Sequence, residues 1–185
     1  QRKRFDMFCN KLPPLKGCMA NSAGIFLGSN YHYSLVRPGA AIFGLKPIQR
    51  EPNPMQPVVN LQGRILQIRV IKKNTPVGYG ASYRARVNTK IATVAVGYGD
   101  GFLRYLGNRG SGFIGNTRVP IVGRISMDLT TFDVTNVPEN LVMPGEMVDL
   151  ISPLHTLDDL AEEAGTIGYE ILTNLGSRYF RQYVH

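Results

Sequence analysis

The sequence predicts a mainly β fold, and three observations carry that prediction. Apolar residues recur with a period of two in several stretches beyond residue 60. Glycine (20 residues) and proline (12 residues) are frequent enough to demand many short elements joined by tight turns. Helical spacing is confined to a few brief segments. With 43% hydrophobic residues against 21 basic and 13 acidic ones, the 185-residue chain has the apolar surface to bury a core, which excludes a disordered tail or a collagen-like chain.

Taken in order, Phe5, Phe8, Cys9 and Leu12 recur at helical spacing and predict an amphipathic helix over 2–12, ended by Pro13-Pro14. The run Arg2-Lys3-Arg4 reads as its solvated face. A short apolar stretch at Met19-Ala20 leads to Asn21-Ser22-Ala23-Gly24 and a polar turn from Ser29 to Ser34. Then Val36-Arg37-Pro38-Gly39-Ala40-Ala41-Ile42-Phe43-Gly44 reads as a buried strand with its leading loop. Pro47, Pro52, Pro54 and Pro57 form an extended segment across which the sequence changes character, so a boundary is placed near residue 50, separating 1–50 from 51–185. Beyond it, Leu66, Ile68 and Val70 alternate with polar residues, as do Tyr83, Ala85 and Val87. Further strands are expected at Ile91 to Val96, Val119 to Val122, Leu129 to Val134 and Met147 to Ile151. Strands this dense, punctuated by the glycines between 97 and 115, suggest a compact barrel or sandwich. One helix interrupts them: Thr156 caps it, Asp159 completes a capping box, and Leu157, Leu160, Ala161 and Ala164 line one face before Gly165. A helical turn or two from Tyr169 to Leu175 and a last strand, with Tyr179 and Tyr183 on one face, complete the expectation.

Function classes narrow next. Nowhere do about 18 apolar residues run together, so no membrane span is expected, and Gln1-Arg2-Lys3-Arg4 lacks the apolar stretch of a signal peptide. The absence of an initiating Met suggests a piece of a longer protein or a processed product. Cys9 and Cys18 match neither a redox pair nor a disulfide framework, which favours a reducing, cytoplasmic setting. His32, His155 and His185 are scattered away from other ligands, so no metal site is expected. A net charge of +8 and a pI near 9.7 admit an anionic ligand or a nucleic acid. The Tyr/Arg alternation at Tyr83 to Arg86 and Tyr179 to Arg181 keeps open a basic β-barrel module that binds nucleic acid.

The familiar catalytic strings are absent: no Gly-x-Ser-x-Gly elbow, no P-loop, no Gly-x-Gly-x-x-Gly after a strand and no His-Glu-x-x-His. What remains is tyrosine between glycines, in Val77-Gly78-Tyr79-Gly80-Ala81-Ser82-Tyr83 and in Val96-Gly97-Tyr98-Gly99-Asp100-Gly101. Two readings stand. The flanking glycines free each phenol to reach into a cleft from a tight turn, or they mark hairpins whose tyrosines cap a barrel rim.

Six strings bear on that choice: the two tyrosine segments, Gly123-Arg124-Ile125-Ser126-Met127-Asp128, Asn21-Ser22-Ala23, Val36-Arg37-Pro38-Gly39 and Gly168-Tyr169-Glu170-Ile171. In this order and approximate spacing, from about residue 3 to 183, they resemble the second half of the alanine racemases. The resemblance implies the last strands of a partial (β/α)8 barrel followed by a C-terminal β-barrel-like domain, and an isomerase dependent on pyridoxal 5'-phosphate that interconverts L- and D-alanine, a peptidoglycan precursor. It implies a homodimer with a shared active site. The family's cofactor-bearing lysine lies upstream, and none of the lysines at 3, 11, 16, 46, 72, 73 and 90 stands in its context. Tyr79 then resembles the second acid/base group, acting on the face opposite that lysine. A phenol ionises near pH 10 in water, so such a role needs positive charge or hydrogen bonds around the phenolate. Arg37 resembles the contact to the pyridine nitrogen, and Ser22, Gly39, Ala40 and Tyr169 the phosphate contacts. Met127 resembles the residue whose backbone N–H holds the substrate carboxylate, and Tyr98 a gate at the entrance. Arg124 and Asp128 read as structural supports. Relatives acting on serine share most of these strings, so substrate width stays open.

Overall fold

The computed structural model describes residues 1–184; His185, the third histidine weighed above, lies outside the described residues. Among them no helix is long and apolar enough to cross a membrane. The chain divides into two compact units, Gln1–Val58 and the remainder from Val59. The sequence put its change of character near residue 50.

The first unit begins with α1 (Arg2–Cys9), whose basic run is exposed. It ends three residues short of Leu12, and Phe5 packs edge-on against Tyr33 with ring centroids 4.8 Å apart. Strands β1 (Cys18–Asn21) and β2 (Leu35–Arg37) pair in parallel. Parallel strands need a crossover, supplied here by α2 (Ser22–Ile25) and a 3-10 turn at Ser29–Tyr31. The buried strand expected along 36–44 is corrected: only its first residues extend, and Ala40–Phe43 forms a 3-10 turn. Pro38 has no N–H to give a ladder, so pairing stops at Arg37. Of the apolar run behind it, Ala40 and Ala41 are buried while Ile42 and Phe43 face outward.

The second unit is a six-stranded antiparallel barrel, nearly closed. Its strands are β3 (Leu61–Ile71), β6 (Thr89–Val94), β7 (Ser111–Ile114), β8 (Thr117–Pro120), β9 (Thr130–Asp133) and β10 (Met147–Ile151); β4 (Pro76–Val77) and β5 (Tyr83–Arg84) form a separate small hairpin. The barrel order is β8-β7-β10-β3-β6-β9. The two ends of that order approach through a bridge between Ile121 and Phe132, with Val122 N donating to Thr131 O at 2.9 Å. The long β3 serves two neighbours: its first half pairs with β10 and the rest with β6, across an irregularity between Ile65 and Gln67. Alternation then delivers Ile65, Val94, Phe132, Val148 and Leu150 to a fully enclosed interior, each such side chain contributing roughly 1.5–3 kcal/mol on burial.

Two expectations for this unit change. The Tyr83 to Val87 strand shrinks to β5, and Tyr83 packs onto Val77, Ile91 and Val122, so its alternation with arginine does not form an open binding face. The expected last strand is not formed among the described residues: from 175 to 184 the chain runs without helix or strand, Tyr183 is exposed, and the Tyr179 hydroxyl is buried without a hydrogen-bond partner among them. Burial, followed by the Asp100 charge, pushes the Tyr179 phenol pKa up.

The expected helix appears as α3 (Leu157–Glu163), with Thr156 and Asp159 forming the reciprocal capping box, followed by α4 (Gly168–Asn174). Glu163 ties α3 to the barrel. Its carboxylate accepts from Ser111 N at 2.8 Å, Ser111 Oγ at 2.7 Å and Arg118 Nη2 at 2.7 Å. The buried His155 places Nε2 3.4 Å from Glu163 Oε2, close enough for attraction but off the hydrogen-bond axis. Burial alone pushes the Glu163 pKa up; the His155, Ser111 and Arg118 neighbours outweigh it and hold the carboxyl at about 2, against an ordinary value of 4.5. A depressed carboxyl pKa contributes stability that is fully present above the ordinary value and lost as pH falls from about 4.5 to about 2. Glu163→Gln therefore lowers the melting temperature at pH 7, with a deficit that shrinks as pH is taken down through that window. A deficit that stays constant from pH 7 to pH 2.5 contradicts this account.

Candidate active site

In the first unit the predicted residues gather at the start of α2 and the end of β2. Asn21 accepts from Gly24 N at 3.0 Å and so starts α2 with Ser22 turned inward, 3% exposed. Ser22 Oγ accepts from Gly39 N at 2.8 Å and from Ala41 N at 3.3 Å. Among the described residues the Ala40 N–H between them has no acceptor, and the Ser22 hydroxyl proton is given to none. The result is a corner with one free amide, Ala40, and one free hydroxyl proton, Ser22, beside the bare backbone of Gly39, the chemistry that holds an anion such as a phosphate. Arg37 closes β2 and lies back along β1: Nη1 reaches Cys18 O at 3.3 Å and Cys18 Sγ at 3.1 Å, and Nη2 reaches Met19 O at 3.3 Å. No carboxylate pairs with it among the described residues, so its charge is held in place without being neutralised.

In the second unit Tyr79 stands at the tip of the β4–β5 hairpin, 71% exposed. Three residues of that tip have positive φ: Gly78 at 73°, Gly80 at 68° and, unusually for a residue with a side chain, Ala81 at 48°. The hairpin is pressed against the segment that begins at Gly123. A side chain at Gly78 would come within 2.9 Å of Arg124 N, and one at Gly80 within 3.0 Å of Arg124 Nη1. Asn108 braces both sides, accepting from Gly123 N at 2.6 Å and donating to Ser82 Oγ at 3.2 Å.

The far end of the same segment carries the second tyrosine turn. Tyr98 N donates to Ser126 O at 3.0 Å and Gly99 N to Met127 O at 2.8 Å, while Asp100 Oδ2 accepts from Gly97 N at 2.8 Å. The glycines of Gly97-Tyr98-Gly99-Asp100-Gly101 thus answer to space, since a Cβ at Gly97 would lie 2.3 Å from Met127 O and one at Gly101, with φ of 93°, 1.7 Å from Asn174 O. Residues 123–128 therefore join the Tyr79 hairpin to the Tyr98 turn and present a Met127 N–H that has no acceptor among the described residues. The Tyr98 and Tyr169 rings are about half exposed, and neither phenol makes a hydrogen bond among the described residues. Tyr169 lies in the first turn of α4, whose other end packs on Gly101, so the structure links its helix to the Tyr98 turn.

The strings that converge on residues 123–128 recur together elsewhere. The family model for the alanine racemase C-terminal domain matches residues 58–183, and that for the alanine racemase N-terminal domain matches residues 1–47. The chain belongs to the alanine racemase family. It is 51% identical over 183 residues to the alanine racemase of Rhodospirillum rubrum, a match covering 99% of this chain and 49% of that protein. It is 48% identical to the catabolic alanine racemase of Agrobacterium fabrum, over 93% of this chain and 44% of the relative. The crystal structure of alanine racemase from Bartonella henselae with covalently bound pyridoxal phosphate superposes with a TM-score of 0.94 at 40% identity, over 99% of this chain and 51% of that one. The chain thus spans about half the length of the racemases it matches, and its mainly β fold with a nearly closed barrel is that of the family's C-terminal domain.

Two residues of the racemase fold that matter here escaped the sequence reading. Asn108 had a local signal, an Asn after Gly107 in a turn, and indeed takes φ of 60°. Arg178 had none, because the carboxylates it meets, Asp100 and Asp128, are distant in sequence.

Proposed function

We propose that this chain is the C-terminal portion of a pyridoxal-phosphate-dependent alanine racemase that interconverts L- and D-alanine by two-base proton exchange. The observation that carries the reading is the Tyr79 phenol, exposed at a strained hairpin tip that is braced on the segment presenting the free Met127 N–H. The donor set fits the cofactor: the Ser22 hydroxyl with the Gly39 and Ala40 amides suits its phosphate, and the un-neutralised Arg37 guanidinium suits its pyridine nitrogen. When bound, pyridoxal phosphate supplies the electron withdrawal that makes an amino acid's α-hydrogen acidic.

This chain's residues do the rest. Ser22, Gly39 and Ala40 hold the phosphate, with Tyr169 as a further contact. Arg37 bonds the ring nitrogen and, being always charged, disfavours its protonation, which limits side reactions. The Met127 N–H receives the substrate carboxylate and Tyr98 narrows the entrance. Tyr79 takes or returns the α-proton on one face, and a lysine of the upstream half serves the other. Racemisation needs two such groups, because one base returns its proton to the face it came from. In this reading residues 1–50 finish a (β/α)8 barrel and 51–185 form the C-terminal β-domain. The assembled protein is a cytoplasmic homodimer with a shared site, supplying D-alanine for peptidoglycan.

The reading is tested with three samples. Full-length protein loaded with pyridoxal phosphate converts either enantiomer of alanine into the other, whereas this chain alone, lacking the lysine, does not, and adding the upstream half as a separate fragment restores conversion. Appreciable D-alanine formation by the chain alone overturns the two-base assignment. A full-length protein that acts on serine and not on alanine overturns the substrate.

A further inference from the structure

We infer that Arg178 is a positioning residue that locks the Tyr98 turn to the Met127 loop and so sets the place where the substrate carboxylate is received; this rests on the racemase reading. Its Nε lies 3.1 Å from Asp100 Oδ1 and its Nη2 2.7 Å from Asp128 Oδ1. Asp100 belongs to the Tyr98 turn, where its other oxygen accepts from Gly97 N at 2.8 Å, and Asp128 directly follows Met127. One planar guanidinium therefore spans two loops that already share the bond from Gly99 N to Met127 O at 2.8 Å. The arginine passes over Gly99, where a Cβ would come within 2.4 Å of Nη1, so the glycine leaves the path that the clasp needs.

Arg178 arrives on the segment that follows α4, and that segment is itself pinned to the Tyr98 turn. Gly176 N donates to Asp100 O at 3.0 Å, and Arg181 holds the same stretch through Leu175 O at 3.2 Å and Gly176 O at 3.0 Å. Thus the segment behind the helix that carries Tyr169, the turn that carries Tyr98 and the loop that presents the Met127 N–H meet at one side chain. The Arg178 and Asp128 side chains are about half exposed, and that pair adds little to global stability; Asp100 is buried, but it keeps its bond from Gly97 N when the arginine is replaced. Their value lies in geometry: a displacement on the order of 1 Å in a positioning group costs about a hundredfold in turnover efficiency.

The test uses the full-length, cofactor-loaded protein and its Arg178→Gln and Arg178→Lys variants. In Arg178→Gln the KM for alanine rises roughly tenfold to a hundredfold, with a smaller change in kcat, an unaltered cofactor absorption spectrum and a modest drop in melting temperature as the buried Asp100 loses its cation. Arg178→Lys, which keeps the charge but not the fork, falls between parent and Gln variant. Amide hydrogen exchange on the same samples reads the clasp without reference to activity: protection at Gly99 drops in Arg178→Gln. An unchanged KM with unchanged Gly99 protection overturns the inference, as does a variant that is already partly unfolded at the assay temperature with protection lost throughout the barrel. If the parent protein does not racemise alanine at all, the racemase reading fails, and the exchange measurement alone decides whether Arg178 holds the two loops together.

Discussion

Full-length protein carrying Tyr79→Phe should keep its cofactor and lose racemisation by about 10²–10⁴, the usual contribution of a general acid–base group. The substitution preserves the ring at the hairpin tip and its contacts while deleting the one atom that can carry the proton. Because the phenol is exposed and makes no hydrogen bond among the described residues, its removal strands no partner, and the fold should not register the change. The result should also be lopsided. With the upstream lysine intact, exchange of the α-hydrogen with solvent survives better from the enantiomer whose hydrogen faces the lysine than from the one whose hydrogen faces Tyr79. Equal and undiminished rates from both enantiomers mean that another tyrosine is the base. Tyr98 then takes precedence over Tyr83, whose ring is packed against Val77, Ile91 and Val122.

Gly101→Ala should be among the most destabilising single substitutions in this chain. Two effects coincide there: φ of 93° disfavours any side chain, and the added carbon would sit 1.7 Å from Asn174 O, a backbone atom that no rotamer change can move aside. Relief requires the end of α4 and the segment behind it to leave the Tyr98 turn, breaking the bond from Gly176 N to Asp100 O. A loss of about 4 kcal/mol, on the order of 10–15 °C in melting temperature, is expected. Gly145→Ala separates the two effects, since Gly145 has φ of 101° but nothing within 4 Å of an added carbon. That control should cost about 1–2 kcal/mol from backbone strain alone. Equal losses at the two positions show that the contact with Asn174 does not matter.

Local signals carried much of this fold. Thr156 and Asp159 satisfy each other's backbone within four residues, so the start of α3 is written where it occurs. The apolar run from Ile91 becomes β6 because both of its faces meet packed neighbours. Strand β7 is hidden for the opposite reason: Gly112 lies in it because Val148 Cγ1 would be 2.8 Å from a Cβ there, so the glycine that reads as a loop is a packing requirement. The tail misled in the other sense, as its spaced tyrosines resemble a strand while its backbone is engaged by Asp100 and Arg181. At the candidate site the glycine-flanked tyrosines were visible as exceptional, but spacing alone left their roles open between cleft and rim. Arg178 is invisible to any local pattern because its partners arrive only when the barrel has formed.

The segment from Gly123 to Asp128 also restricts how this domain can change length. One of its ends is wedged under the Tyr79 hairpin and the other is bonded to the Tyr98 turn, so it works as a spacer of fixed size. A single residue inserted between them would rotate everything downstream and separate the phenol of Tyr79 from the amide of Met127, whatever the residue's chemistry. In a library of one-residue insertions, tolerance should therefore collapse across 123–128, where both ends of the segment are fixed.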